Sequence, residues 1–120
     1  MEHVHDEIDV VEKHPPTLRE SLDVVRAHGI GLLCWAPLAS GFLTDGFDPD
    51  ALDPDDFRRR SRLARRGAEI DRVRGEAAAA GRTLRRHALA WVLEQPGVTA
   101  AIVGARTAAE GSELAALASD

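Results

Sequence analysis

Cys34 is the single thiol of the chain, and a thiol becomes a nucleophile or metal ligand once ionised. It stands in the apolar run Leu32-Leu33-Cys34-Trp35, where a buried and inert sulfur is expected, and with no second cysteine an internal disulfide is excluded. His3, His5, Glu7 and His14 carry metal-binding groups, but their spacing follows no zinc pattern, and no metal is expected. Asp48, Asp50, Asp53, Asp55 and Asp56 resemble a loose calcium loop. They lack its Asp-x-Asp-x-Asp-Gly order and distal Glu, and two Asp-Pro steps mark the stretch as solvated turns. Arg58, Arg59, Arg60, Arg62, Arg65 and Arg66 form a cationic group able to meet phosphate or nucleic acid, beside an acidic stretch able to neutralise it. Gly29-x-Gly31 lies between a helical pattern and a strand pattern, the reverse of the dinucleotide-binding order, and reads as punctuation.

These side chains must be positioned by one domain, since 120 residues at 44% hydrophobic content suit a single globular core over residues 1–120. A net charge of -5 argues against general affinity for nucleic acid or an anionic membrane. No apolar run approaches the ~20 residues of a membrane span, and the first residues lack the basic-then-apolar plan of a signal peptide, so a cytoplasmic protein is expected. Ile8-Asp9-Val10-Val11 predicts a short buried strand stopped by Pro15-Pro16. Thr17-x-x-Glu20 has capping-box spacing, Leu18, Leu22 and Val25 share a helix face, and Gly29 follows as a C-terminal cap. Ile30 to Trp35 reads as a second strand, ended by Pro37 and followed by a polar loop from Ser40 to about Gly67. Ile70, Val73, Ala77 and Ala80 mark one helix, broken at Gly81. Leu84, Ala88, Trp91 and Val92 mark another that starts near Thr83 and ends at Pro96-Gly97. Thr99 to Val103 predicts a third strand, and Thr107 opens a last Ala- and Leu-rich helix. This alternation, with strands lacking a polar face, predicts an α/β fold with parallel strands covered by helices.

Three strand ends carry specific motifs: Val11-Glu12-Lys13-His14-Pro15, then Trp35-Ala36-Pro37-Leu38-Ala39-Ser40-Gly41-Phe42-Leu43-Thr44, then Ile102-Val103-Gly104-Ala105-Arg106-Thr107. In order and spacing they resemble the ends of the sixth, seventh and eighth barrel strands of the aldo-keto reductases. Asp56-Phe57-Arg58-Arg59-Arg60-Ser61-Arg62-Leu63 is similar to a segment of that family's long seventh loop, and Ala88-Leu89-Ala90-Trp91-Val92-Leu93 to its Ala-Leu-x-Trp helix. The resemblance covers nearly the whole chain. It implies the C-terminal half of a (β/α)8 barrel, with about three parallel strands, and an oxidoreductase using NADP(H).

By resemblance, Trp35 stacks on nicotinamide, Leu38 and Ser40 flank the pyrophosphate with Gly41 and Leu43 in the same turn, and Gly104 and Arg106 belong to the loop that meets the adenosine 2'-phosphate. Glu113 falls on the adenine side, and Glu110 stands where a Gln is usual. The chemistry is reasonable: glycine lets backbone approach a pyrophosphate, and a guanidinium beside a helix start can grip a phosphate. Several positions depart from the family pattern. Val10 replaces a carboxamide-binding Gln, Ala36 a Ser and Leu114 an Asn, so a weakened cradle is expected. No catalytic residue is expected here, because the family's Tyr with its Lys, Asp and His neighbours comes from earlier strands; this chain contains no Tyr, and Lys13 is its only Lys. The expected partner is a complementary N-terminal half-barrel chain, or a second copy of this one, since a barrel fragment leaves sheet edges open. A non-catalytic nucleotide- or partner-binding module and a truncated gene product are the alternatives.

Overall fold

A computed structural model of the chain describes residues 16–118. Helix α1 (Pro16–His28) begins one residue before the expected Thr17. It ends in a Schellman cap: the Ile30 N–H donates to the Val25 carbonyl at 2.9 Å and the Gly29 N–H to that of Arg26 at 3.5 Å. Strand β1 (Leu32–Trp35) is shorter than its apolar run because Ile30 is spent on that cap. Helices α2 (Gly67–Ala79) and α3 (Leu84–Glu94) follow the long loop, then β2 (Val98–Ile102) and α4 (Ala108–Leu117). The strand predicted over Ile8–Val11 lies outside the described residues.

β1 and β2 pair in parallel, as the alternating pattern requires, with Trp35 opposite Ile102 at their C-terminal ends. The register shifts once. Leu32 faces Val98 and Leu33 faces Ala100, leaving Thr99 as the extra residue of a bulge. Its hydroxyl accepts the Leu32 N–H at 3.0 Å, so the donor stranded by the shift is satisfied. Gly97, at φ +105°, lets the chain enter β2 beneath α1, where a Cβ would lie 3.0 Å from Arg26 Cγ and 3.1 Å from Val25 Cγ2.

The core departs from the expected plan. It is centred under the loop rather than on the sheet: Ala39, Phe42, Leu43 and Leu63 pack with Ile70, Val73 and Ala77 of α2 and with Leu84 and Ala88 of α3. Ala80, expected on the inner face of α2, is exposed, and Trp91, expected in the core, is half-buried. Cys34 is likewise half-buried rather than enclosed. One face of the sheet stays open, with Leu33, Trp35 and Ile102 all more than half exposed, because helices cover only the other face among the described residues. The loop from 40 to 66 is turned rather than formless. It contains short 3-10 turns at Pro49–Ala51, Phe57–Arg60 and Arg62–Arg65, each begun by a polar side chain that accepts a backbone N–H: Asp48, Asp56 and Ser61.

Candidate functional site

Parallel pairing places the C-terminal ends of β1 and β2 side by side, about 4.8 Å apart. The chain leaving β1 (36–43) and the chain leaving β2 (103–107) therefore emerge at the same end of the sheet. Carboxyl ends of parallel strands are where α/β folds build ligand sites. Of the residues expected to hold a cofactor, Trp35, Leu38, Ser40, Gly41 and Leu43 lie at the first exit, Gly104 and Arg106 at the second, and Glu110 and Glu113 in α4 just after it.

The first exit is strained. Ala36, Ala39 and Ser40 have φ of 57°, 51° and 57°, and Gly41 has φ of 94°, so four residues in six adopt left-handed conformations. For the three with side chains this costs on the order of 1 kcal/mol or more each, and such strain persists only where the surroundings over-determine it. Here they do. The Leu38 carbonyl accepts from the N–H groups of both Gly41, at 3.0 Å, and Leu43, at 3.2 Å. The Thr44 hydroxyl donates to the Gly41 carbonyl at 2.7 Å. Ala39, Phe42 and Leu43 are buried, and Leu38 packs on the same core. Asp45 accepts the Leu84 N–H at 2.9 and 3.1 Å through its two oxygens, pinning the loop to the first turn of α3.

Arg58 completes this turn from the long loop. One guanidinium nitrogen lies 3.4 Å from the Ser40 carbonyl, and a Cβ on Gly41 would meet it at 3.6 Å. Two further donors grip Asp56 at 2.9 and 2.6 Å, and the guanidinium carbon sits 5.6 Å from the centre of the Phe47 ring. That grip holds the Asp56 carboxyl at about 2, below its ordinary 3.8, the Arg58 side-chain bond being the main cause and the Arg58 N–H the next. A cleft of about 170 Å³ opens between Phe42, Leu52, Arg58 and Ala64. It is too small to enclose a dinucleotide, whose sites usually exceed ~300 Å³, so these residues offer one wall of a site.

At the second exit Thr107 caps α4, its hydroxyl accepting the Glu110 N–H at 3.1 Å. Glu110 reaches back and accepts the Arg106 N–H at 2.7 Å, a capping box displaced by one residue. The same carboxylate lies 3.6 Å from the Arg106 guanidinium and 3.9 Å from that of Arg85 on α3. Its pKa is lowered, first by the Arg106 N–H and then by the charges of Arg106 and Arg85. Arg85 also pairs with Glu113, so α3 and α4 are joined by an ion-pair chain. The Arg106 side chain is 81% exposed and available to a ligand.

Each expected site residue thus has a place. Trp35 is half exposed beside the strained turn, Leu38, Ser40 and Gly41 form that turn, and Gly104 lies in the second exit with open space around its Cα. Leu43 is 1% exposed, so its side chain supports the turn from beneath and only its backbone can face a ligand. Glu110 and Glu113 are engaged by arginines. Sequence reasoning missed the roles of Asp45, Arg58 and Arg85, which depend on contacts 18 to 39 residues away along the chain. The capping box Thr107-x-x-Glu110 was readable, since it has the spacing used for Thr17-x-x-Glu20. Among the described residues no group of acidic, His or Cys side chains is arranged to hold a metal ion. The aspartates at 48 and 56 serve as turn caps, Asp56 also pairs with Arg58, and Arg59 donates to the carbonyls of Leu52 and Asp53.

The family model described as the aldo/keto reductase family matches residues 8–119. Among curated proteins, an Arabidopsis thaliana protein described as a probable voltage-gated potassium channel subunit beta is 35% identical over 95 residues. The match takes in 72% of this chain and 29% of that relative, so the chain spans less than a third of the protein it resembles. No helix among the described residues is long and apolar enough to cross a membrane.

Proposed function

The chain belongs to the aldo/keto reductase family, and from that premise we propose that it is the NADP(H)-binding C-terminal portion of a (β/α)8 oxidoreductase barrel acting on a carbonyl or alcohol. The supporting observation is the run of left-handed residues at Ala36, Ala39, Ser40 and Gly41, held at the C-terminal end of a parallel strand by Thr44, Asp45 and Arg58. Strain so heavily supported is characteristic of ligand-binding turns. At this end Trp35 offers a half-exposed ring and the turn offers backbone, braced from behind by Arg58, whose own charge is paired with Asp56. At the other end Arg106 supplies an exposed guanidinium for the 2'-phosphate, with Glu113 on the adenine side.

The bound dinucleotide would supply or accept hydride. The chain's own residues would orient it: Trp35 by stacking, Leu38, Ser40 and Gly41 by shaping the pyrophosphate turn, and Arg106 by charge. None is placed to protonate a carbonyl, and with no Tyr in these 120 residues the proton donor must come from strands elsewhere in a completed barrel. A complementary half-barrel chain is the partner this reading calls for. A non-catalytic nucleotide-binding module is the second reading, supported by the same lack of a phenol.

Titration of the purified chain with NADPH, followed by tryptophan fluorescence, tests the proposal. Saturable quenching is expected, and Trp35→Phe should remove most of it while Trp91 remains. A folded sample whose fluorescence ignores NADPH would sink the proposal. Turnover of a carbonyl substrate only after a half-barrel carrying the early strands is added would favour the oxidoreductase over the module.

A further inference from the structure

The carboxylate of Glu110 stands directly against Arg106, on its backbone N–H and beside its guanidinium. It already accepts the Arg106 N–H at 2.7 Å, faces the Arg106 guanidinium at 3.6 Å, and faces the Arg85 guanidinium at 3.9 Å. Its own side chain is 22% exposed, and Arg85 is 15% exposed, so the carboxylate is held from behind while the Arg106 side chain projects to solvent. As a carboxylate it is ionised at neutral pH, and the Arg106 N–H and the charges of Arg106 and Arg85 favour that form further. A phosphate monoester approaching Arg106 therefore meets a negative charge within one side chain's length of the cation that attracts it. A ribose that carries free hydroxyls meets no such repulsion, and a carboxylate can accept hydrogen bonds from them.

We infer that Glu110 is a specificity-determining residue, which cancels much of the preference that Arg106 would confer for a 2'-phosphorylated dinucleotide and lets the chain accept NADH nearly as well as NADPH. The inference rests on the cradle proposed above, and it assigns to Glu110 a role opposite to that of a neutral amide at the same position. Two like charges about 4 Å apart near a protein surface oppose each other enough to change affinity on the order of fivefold or more.

The test compares dissociation constants for NADPH and NADH, read by tryptophan quenching, in the parent chain, Glu110→Gln and Glu110→Asp. Gln keeps an oxygen to accept the Arg106 N–H, so folding should be retained, and far-UV circular dichroism checks this for each variant. The expected result is a ratio near one for the parent and a gain for NADPH over NADH of roughly fivefold in Glu110→Gln. Glu110→Asp, which keeps the charge, should stay near the parent. Equal gains for both dinucleotides in Glu110→Gln, or the same gain in Glu110→Asp, would overturn the role of Glu110 while leaving the cradle intact. Failure of all three folded proteins to bind either dinucleotide would overturn the cradle, and this inference with it.

Discussion

Arg58 and Arg106 are the two cations at the strand exits, and they are held differently. Arg58 is locked to Asp56, to Phe47 and to the Ser40 carbonyl, whereas Arg106 keeps one ion pair and an otherwise free side chain. Replacing Arg106 by Ala should weaken NADPH by about 1 kcal/mol, roughly fivefold, with less effect on NADH. Comparable losses for both nucleotides would mean that no 2'-phosphate is read there. Asp56 makes a separate prediction about acid. Its folded pKa of about 2 lies below its ordinary 3.8, so the stability it contributes is fully present above pH 4 and is lost as the pH falls through about 2. The melting temperature should decline across that window, and Asp56→Asn should flatten this part of the decline. An unchanged acid profile in Asp56→Asn would show that the Asp56–Arg58 pair does not couple to folding.

At the scale of elements, the strained turn and the start of α3 form a unit. Gly41 sits at φ 94°, where an alanine costs about 1–2 kcal/mol, so Gly41→Ala should lower stability by that amount in urea unfolding even though its Cβ would meet nothing closer than 3.6 Å. A loss much smaller than this would show that the turn relaxes easily. Helix α3 is capped twice, by Thr83 from within and by Asp45 from the turn. Asp45→Ala should cost about 1 kcal/mol and also loosen the turn, so that any NADPH quenching weakens in step with stability. Stability lost without weaker binding would separate the clamp from the cradle.

For the whole molecule, the open sheet face is the dominant feature. Leu33, Trp35 and Ile102 are 60%, 51% and 51% exposed on the sheet, which has two strands among the described residues. Among the described residues this apolar face is uncovered, and such a face favours association with further strands. Concentration-dependent self-association by light scattering is expected for the chain alone, and Leu33→Lys should shift it toward monomer without changing the circular dichroism spectrum. Identical masses for both proteins across the concentration range would count against that face as a contact surface. If the proposed half-barrel partner pairs with this sheet, adding it should suppress self-association of the parent chain.

Local rules were enough for much of this chain. Periodicity located the helices, since Ile70, Val73 and Ala77 on α2, and Leu84, Ala88 and Val92 on α3, are among the residues that the structure buries, while Ala80 and Trp91 of the same pattern are not. Thr83 and Thr107 cap where their positions predict, because a cap needs only partners within three residues. Five motif-bearing segments in family order identified the family, and with it the residues of the candidate cradle. Tertiary structure decided what depends on distant neighbours. The polar composition of residues 40 to 66 hid a core, because a few buried side chains, Phe42, Leu43 and Leu63, carry little periodic signal in a loop. The sheet's open face was equally hidden, since an apolar strand looks the same in sequence whether or not another layer covers it. Glu110 shows both scales at once: its bond to the Arg106 N–H four residues back is a local cap, whereas the Arg85 guanidinium 3.9 Å away arrives from α3 only in the folded chain.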